Sequence, residues 1–173
     1  FAQGKASVRP LVQEREALRA GQHPRAIVLG CADSRCPPEL LFDQSLGDLF
    51  VVRTAGNVAD PVALGSLEYA VEHLGAHLLV VLGHDACGAV KATIAGGELP
   101  SDNLRAIVEH ISPAVEAARV HWSGDELLDH AIAANAQQSA RDLLLRSPVL
   151  RDAVEKGHLK LVTAVYHFAD GRV

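Results

Sequence analysis

Two short clusters hold the residue types that do chemistry: Cys31-Ala-Asp33-Ser-Arg35-Cys36 and His84-Asp-Ala-Cys87-Gly88. The thiolates of Cys31 and Cys87 with the imidazole of His84 make a donor set that suits zinc. Three protein ligands leave a fourth tetrahedral position, which separates a catalytic zinc from a closed structural one. Asp33 either fills that position or stands beside it. Two residues on, Arg35 offers a guanidinium fork that matches a carboxylate. An Asp paired in this way keeps a low pKa and stays a hydrogen-bond acceptor, able to orient the proton of a zinc-bound hydroxide. Zinc lowers the pKa of bound water to about 7, and two thiolates acidify it less than three neutral histidines would. Each residue alone has a plainer reading. A buried Cys at a strand end is usually a small hydrophobe, an Asp-x-Arg pair is usually a surface ion pair, and His84 alone reads as a hydrogen-bonded core histidine. Their joint placement favours a metal site, while spacing by itself leaves a structural zinc, or no metal, open.

The elements that must position these clusters are short apolar runs. Residues 26–30 (AIVLG), 48–53 (DLFVVR) and 77–83 (HLLVVLG) read as strands buried on both faces, and 159–166 (LKLVTAVY) closes the chain as a fourth. Helical stretches alternate with them. Residues 38–44 carry Leu40, Leu41 and Phe42, and residues 61–74 place Val62, Leu64, Leu67, Ala70, Val71 and Leu74 near a 3.6 spacing, with Asp60 as N-cap and Pro61 at the first helical position. Strand–helix alternation implies right-handed crossovers. The expected fold is α/β: one domain with a mostly parallel four- to five-stranded sheet flanked by helices. Residues 102–146 have no strand pattern and read as two helices broken at Trp122-Ser123-Gly124, the second starting at Ser123 or Asp125; they layer over the sheet or pack on a partner subunit. Functional residues of open α/β sheets cluster just past the carboxyl ends of strands, where both clusters fall. Adjacent parallel strands would bring them together.

Composition excludes several function classes. The 173 residues hold 16 Lys and Arg against 21 Asp and Glu, a formal charge of −5, so no large basic surface awaits nucleic acid. At 49% hydrophobic and 21% charged the chain is an ordinary globular sequence rather than a disordered one. Three cysteines are too few for a disulfide framework and fit a reducing compartment, hence a cytoplasmic protein or a cytoplasmic domain. The longest apolar stretch, residues 76–83, is far short of the roughly 20 residues of a membrane span. The chain has no Met; it is expected to be processed, truncated or one domain of a longer polypeptide, such as one fused behind a transporter preceding Phe1.

Cys31-Ala-Asp33-Ser-Arg35 and His84-Asp-Ala-Cys87-Gly88 resemble the paired signatures of the β-class carbonic anhydrases. The likeness runs from about Gly21 to the C-terminus and includes Pro38-Glu39, the stretch from Gly47 to Arg53, Gly56-Asn57 and the stretch from Glu68 to Val71. It implies zinc-dependent, reversible hydration of carbon dioxide to bicarbonate and a proton by an α/β homodimer or tetramer. By motif match, Cys31, His84 and Cys87 are the Zn2+ ligands, and Asp33 and Arg35 are the catalytic dyad. Gln22 matches a substrate-holding Gln placed across the dimer interface. Phe50 and Tyr69 match apolar pocket walls, for which core packing is the alternative, and Gly88 matches a backbone N–H that binds the anion. Ala55 stands where a larger aliphatic wall is common. In the family's closed form the Asp ligates zinc; in the open form Arg holds it away. One branch with a bicarbonate-responsive closed form has Trp three residues before the first Cys. Val28 in that place, with Gln22, favours the open form, although Arg53 and Tyr166 resemble the other members of that branch's site. Cys36 reads as core filler, or as a redox-sensitive thiol. Two other functions fit the same residues: turnover of another small heterocumulene, and a non-catalytic zinc-stabilised bicarbonate-sensing or assembly module.

Overall fold

The computed structural model describes Ser7 and residues 9–173. Four strands, β1 (Ala26–Cys31), β2 (Leu49–Thr54), β3 (Leu78–His84) and β4 (Lys160–Tyr166), form one parallel sheet in the order β2-β1-β3-β4. Every residue of β1 is buried, as its unbroken AIVLGC sequence demands of a central strand covered on both faces. The edge strands are mostly half-buried instead: β2 is exposed only at Arg53, and β4 only at Lys160 and Thr163, ending on the buried Tyr166.

Among the described residues, seven α-helices connect and cover the sheet: α1 (Leu11–Ala17), α2 (Pro38–Leu41), α3 (Pro61–Leu74), α4 (Gly88–Ala95), α5 (Asp102–Arg119), α6 (Gly124–Arg146) and α7 (Pro148–Glu155). On one face Ile27, Leu29, Leu79 and Val81 pack against Leu64 and Leu67 of α3, Ala136, Ala140 and Leu143 of α6, and Leu150 and Ala153 of α7. On the other face Val28, Val80 and Leu82 meet Cys36, Leu41 and Tyr166, with Phe42 and Phe168 alongside. Helix α3 has the expected bounds, and the Asp60 carboxylate accepts from the Ala63 N–H at 2.7 Å. Helix α2 is shorter than the expected 38–44, because the chain turns after Leu41 and Asp43 takes a left-handed conformation (φ 50°). The 102–146 segment breaks as expected: Ser123 stands at the N-cap of α6, though its hydroxyl makes no capping bond. Helix α6 packs on β3 and β4 with α5 against it, so the pair forms a layer over the sheet of its own chain.

β1 is the first strand, and the chain moves to β2 on one side and then to β3 on the other. The carboxyl ends of β1 and β3 therefore flank the point where strand order reverses, the place where open α/β sheets form crevices. This topology positions the site.

Candidate active site

Cys31 is the last residue of β1, His84 the last of β3, and Cys87 the N-cap of α4. All three are buried, and one ligand atom from each lies within 4.8 Å of the other two. A tetrahedron built on Zn–S and Zn–N bond lengths has edges of roughly 3.5–4 Å, so one ion can reach all three. The His84 Nδ1–H donates to the Asp85 carbonyl at 2.9 Å, which leaves the lone pair on Nε2. That atom is buried and has no hydrogen-bond partner among the described residues. A buried, oriented and unsatisfied nitrogen between two thiols is what a metal ligand requires.

The two sulfurs share one charge. Cys31 is lowered from 9.0 to about 4, because the Cys87 thiol donates to it and outweighs burial; the N–H of Gly56 adds a bond to its Sγ at 3.3 Å. Cys87 is pushed up by the same contact and by burial. A divalent cation is the partner that lets both ionise. Cys36 stands outside this group: it is buried against Val28 and Leu41, and burial pushes its thiol up to about 12.

Asp33 and Arg35 form a bidentate pair beside the cluster. Arg35 Nε donates to Oδ1 at 2.9 Å, its Nη2 to Oδ2 at 2.7 Å, and its backbone N–H to Oδ1 at 3.0 Å. This fork holds Asp33 well below the usual carboxylate range. Asp33 Oδ2 lies 4.0 Å from His84 Nε2, near the cluster but engaged by Arg35. Arg53, on edge strand β2, donates to the Cys31 carbonyl at 2.8 Å and the Asp33 carbonyl at 2.5 Å, which fixes the turn carrying ligand and carboxylate. Below it Asn135 of α6, fully buried, donates to the Gly56 carbonyl at 2.8 Å and holds the loop whose amide reaches Cys31.

A family model described as carbonic anhydrase matches residues 26–173. The chain belongs to the carbonic anhydrase family. A carbonic anhydrase from Mycolicibacterium smegmatis is 46% identical over 165 residues, covering 94% of this chain and 79% of that protein. Carbonic anhydrase 2 of Mycobacterium tuberculosis is 44% identical over 164 residues, covering 93% and 78%. Among solved structures, the β-carbonic anhydrase CcaA superposes with a TM-score of 0.82 at 29% identity, covering 93% of this chain and 83% of its own. A tetrameric β-carbonic anhydrase from Sordaria macrospora also gives 0.82, at 25% identity over 91% and 83%.

Within this carbonic anhydrase chain the sequence-derived residues divide into two groups. Cys31, Asp33, Arg35, His84, Cys87 and Gly88, the first residue of α4, sit together at the carboxyl ends of β1 and β3. Gln22, Phe50 and Tyr69 do not join them. Phe50 pairs with Ile27, four residues before Cys31, which places it about 13 Å back along the sheet. Its ring lies 6.4 Å from that of Tyr69, which is 47% exposed, and Gln22 is exposed in the connection leading into β1. Sequence reasoning gave no role to Asp85, Asn135 or Phe168. The signals were thin: an acid beside a ligand His, an Asn on an apolar helix face, and an aromatic just past the last strand.

Proposed function

We propose that this chain hydrates carbon dioxide reversibly to bicarbonate and a proton at a zinc ion held by Cys31, His84 and Cys87. The observation that carries the reading is a buried Cys-His-Cys triangle beside an Asp that is kept charged by a two-pronged Arg. When bound, zinc lowers the pKa of coordinated water to about 7 and so supplies a nucleophile at neutral pH. Asp33, ionised and acceptor-only, would accept a hydrogen bond from that nucleophile and so orient its lone pair toward carbon dioxide. Arg35 keeps Asp33 from taking the fourth ligand position, the open form of the site. The Gly88 N–H, at the start of α4, favours the anionic product.

Gln22, Phe50 and Tyr69 are a substrate wall offered to a second copy of the chain. Phe50 lies back along the sheet from the metal triangle, and Gln22 and Tyr69 are exposed, which suits a contribution to another copy's site rather than to their own. The assembly is then a homodimer or a tetramer, with each pocket completed across the interface. Three unpaired thiols fit the reducing cytoplasm; among the described residues no helix is long and apolar enough to cross a membrane. Stopped-flow carbon dioxide hydration by the full chain, with zinc content measured on the same sample, tests the proposal. Zinc-loaded protein without hydration activity at any pH would leave a sensing or assembly role instead.

A further inference from the structure

Arg35 faces a physical difficulty. Its side chain is 53% exposed, so water competes for the guanidinium, and exposed ion pairs hold geometry poorly by themselves. Yet both Nε and Nη2 must face Asp33 for the fork to form. The structure supplies a support. The ring of Phe168 lies under the guanidinium, with Arg35 Cζ 4.5 Å from the ring centroid. Guanidinium planes stack on aromatic faces through cation–π attraction and dispersion.

Phe168 is itself held on three sides. Its ring meets Tyr166 edge-on at 5.4 Å and His84 at 5.7 Å. The chain after β4 closes into a turn, with the His167 N–H bonded to the Arg172 carbonyl and the Gly171 N–H to the His167 carbonyl. The Asp85 carboxylate then clips this turn to the site. It accepts from the Phe168 N–H at 3.0 Å and from His167 Nδ1–H at 3.0 Å. The same residue's carbonyl orients His84, and its N–H donates to the Tyr166 carbonyl. One residue next to a metal ligand thus fixes both the ligand's imidazole and the ring beneath Arg35.

We infer that Phe168, seated by Asp85, is a positioning residue for Arg35 and through it for Asp33. The inference rests on Asp33 and Arg35 being the working pair of the proposed hydration reaction. In this role Phe168 acts through Arg35, holding the guanidinium plane in the orientation in which the fork closes.

The test uses the zinc-loaded, 15N-labelled full chain and the variants Phe168→Leu and Phe168→Tyr at matched zinc content. In the wild type the Arg35 side-chain resonances are shifted upfield by the ring and its Nε–H exchanges slowly with water. Phe168→Leu, which keeps an apolar side chain, abolishes the shift and speeds exchange. Its kcat falls by about two- to fivefold, the loss expected from one exposed cation–π contact, and KM is unchanged. Phe168→Tyr restores both readouts, and Asp85→Ala moves the same Arg35 resonance. A wild-type Arg35 without a ring-induced shift overturns the inference even if the Leu variant does not fold. So does a Phe168→Leu variant with unaltered Arg35 resonances and kcat. If the wild type hydrates no carbon dioxide, the hydration reading fails, while the Arg35 resonances still decide whether Phe168 seats the guanidinium.

Discussion

Gly56→Ala places a methyl group where the loop under Cys31 has no room. Gly56 is left-handed, with φ of 69°, and an ideal Cβ there would lie 2.7 Å from Ile111 Cδ1 and 3.1 Å from the Ala89 Cβ. The backbone term for an L-residue in that region is about 1–2 kcal/mol. The Ile111 methyl can swing, but Ile111 is fully buried and Ala89 sits in the first turn of α4, so overpacking adds about 1–2 kcal/mol. The expected destabilisation is therefore about 2–4 kcal/mol, a fall in Tm of roughly 5–15 °C for a domain of this size. Gly75→Ala is the control. Gly75 is also left-handed, with φ of 66°, but an added Cβ would meet nothing within 4 Å. It should show the backbone term alone. Urea unfolding of both variants, at one protein concentration and matched zinc, separates the two contributions. Equal losses for the two variants would refute the packing argument. The Gly56 N–H also donates to Cys31 Sγ; Ala keeps that donor, but the clash with Ile111 displaces it, so Gly56→Ala should weaken zinc retention while Gly75→Ala leaves it unchanged.

Asn135→Ala removes the donor to the buried Gly56 carbonyl and should lower stability by about 1–3 kcal/mol in the same unfolding assay; a loss within error would show that the carbonyl is satisfied otherwise. In zinc-stripped protein, ultraviolet titration should find one thiolate per chain at neutral pH. It is lost near pH 4 and absent in Cys31→Ser, while Cys36, pushed up to about 12, stays protonated. Because the folded pKa of Cys31 lies below its ordinary value of 9.0, its contribution to stability is complete above 9.0 and is lost as the pH falls toward 4.

The sheet was legible because its centre is written plainly. The apolar runs of β1 and β3 leave no polar face to expose, and both chemical clusters begin where those runs stop. Asp60-Pro61 announced α3 to the residue. Helix α7 carries similar signals: Ser147 caps it, accepting from the Leu150 N–H at 3.1 Å, and Pro148 opens it. Helix α2 was overextended because three consecutive apolar residues look helical, whereas the left-handed Asp43 that ends them leaves no mark on periodicity. The support around the site was hidden for a different reason. Asn135 reaches Gly56 across 79 positions, and Asp85 reaches Phe168 across 83. Such pairs exist only once strand order and register are set. Register likewise separates Phe50 from Cys31, although motif matching alone treats both as site residues.

The central claim is that Asp33, held by Arg35, works on a nucleophile at the Cys31-His84-Cys87 metal. Stopped-flow carbon dioxide hydration by Asp33→Asn and wild type at equal zinc content tests it most directly. Asn keeps the shape and loses the charge that binds Arg35 and strengthens the hydrogen bond orienting the nucleophile, so kcat should fall by at least about 100-fold with zinc retained. A zinc-loaded Asp33→Asn protein that hydrates carbon dioxide at the wild-type rate would contradict the account.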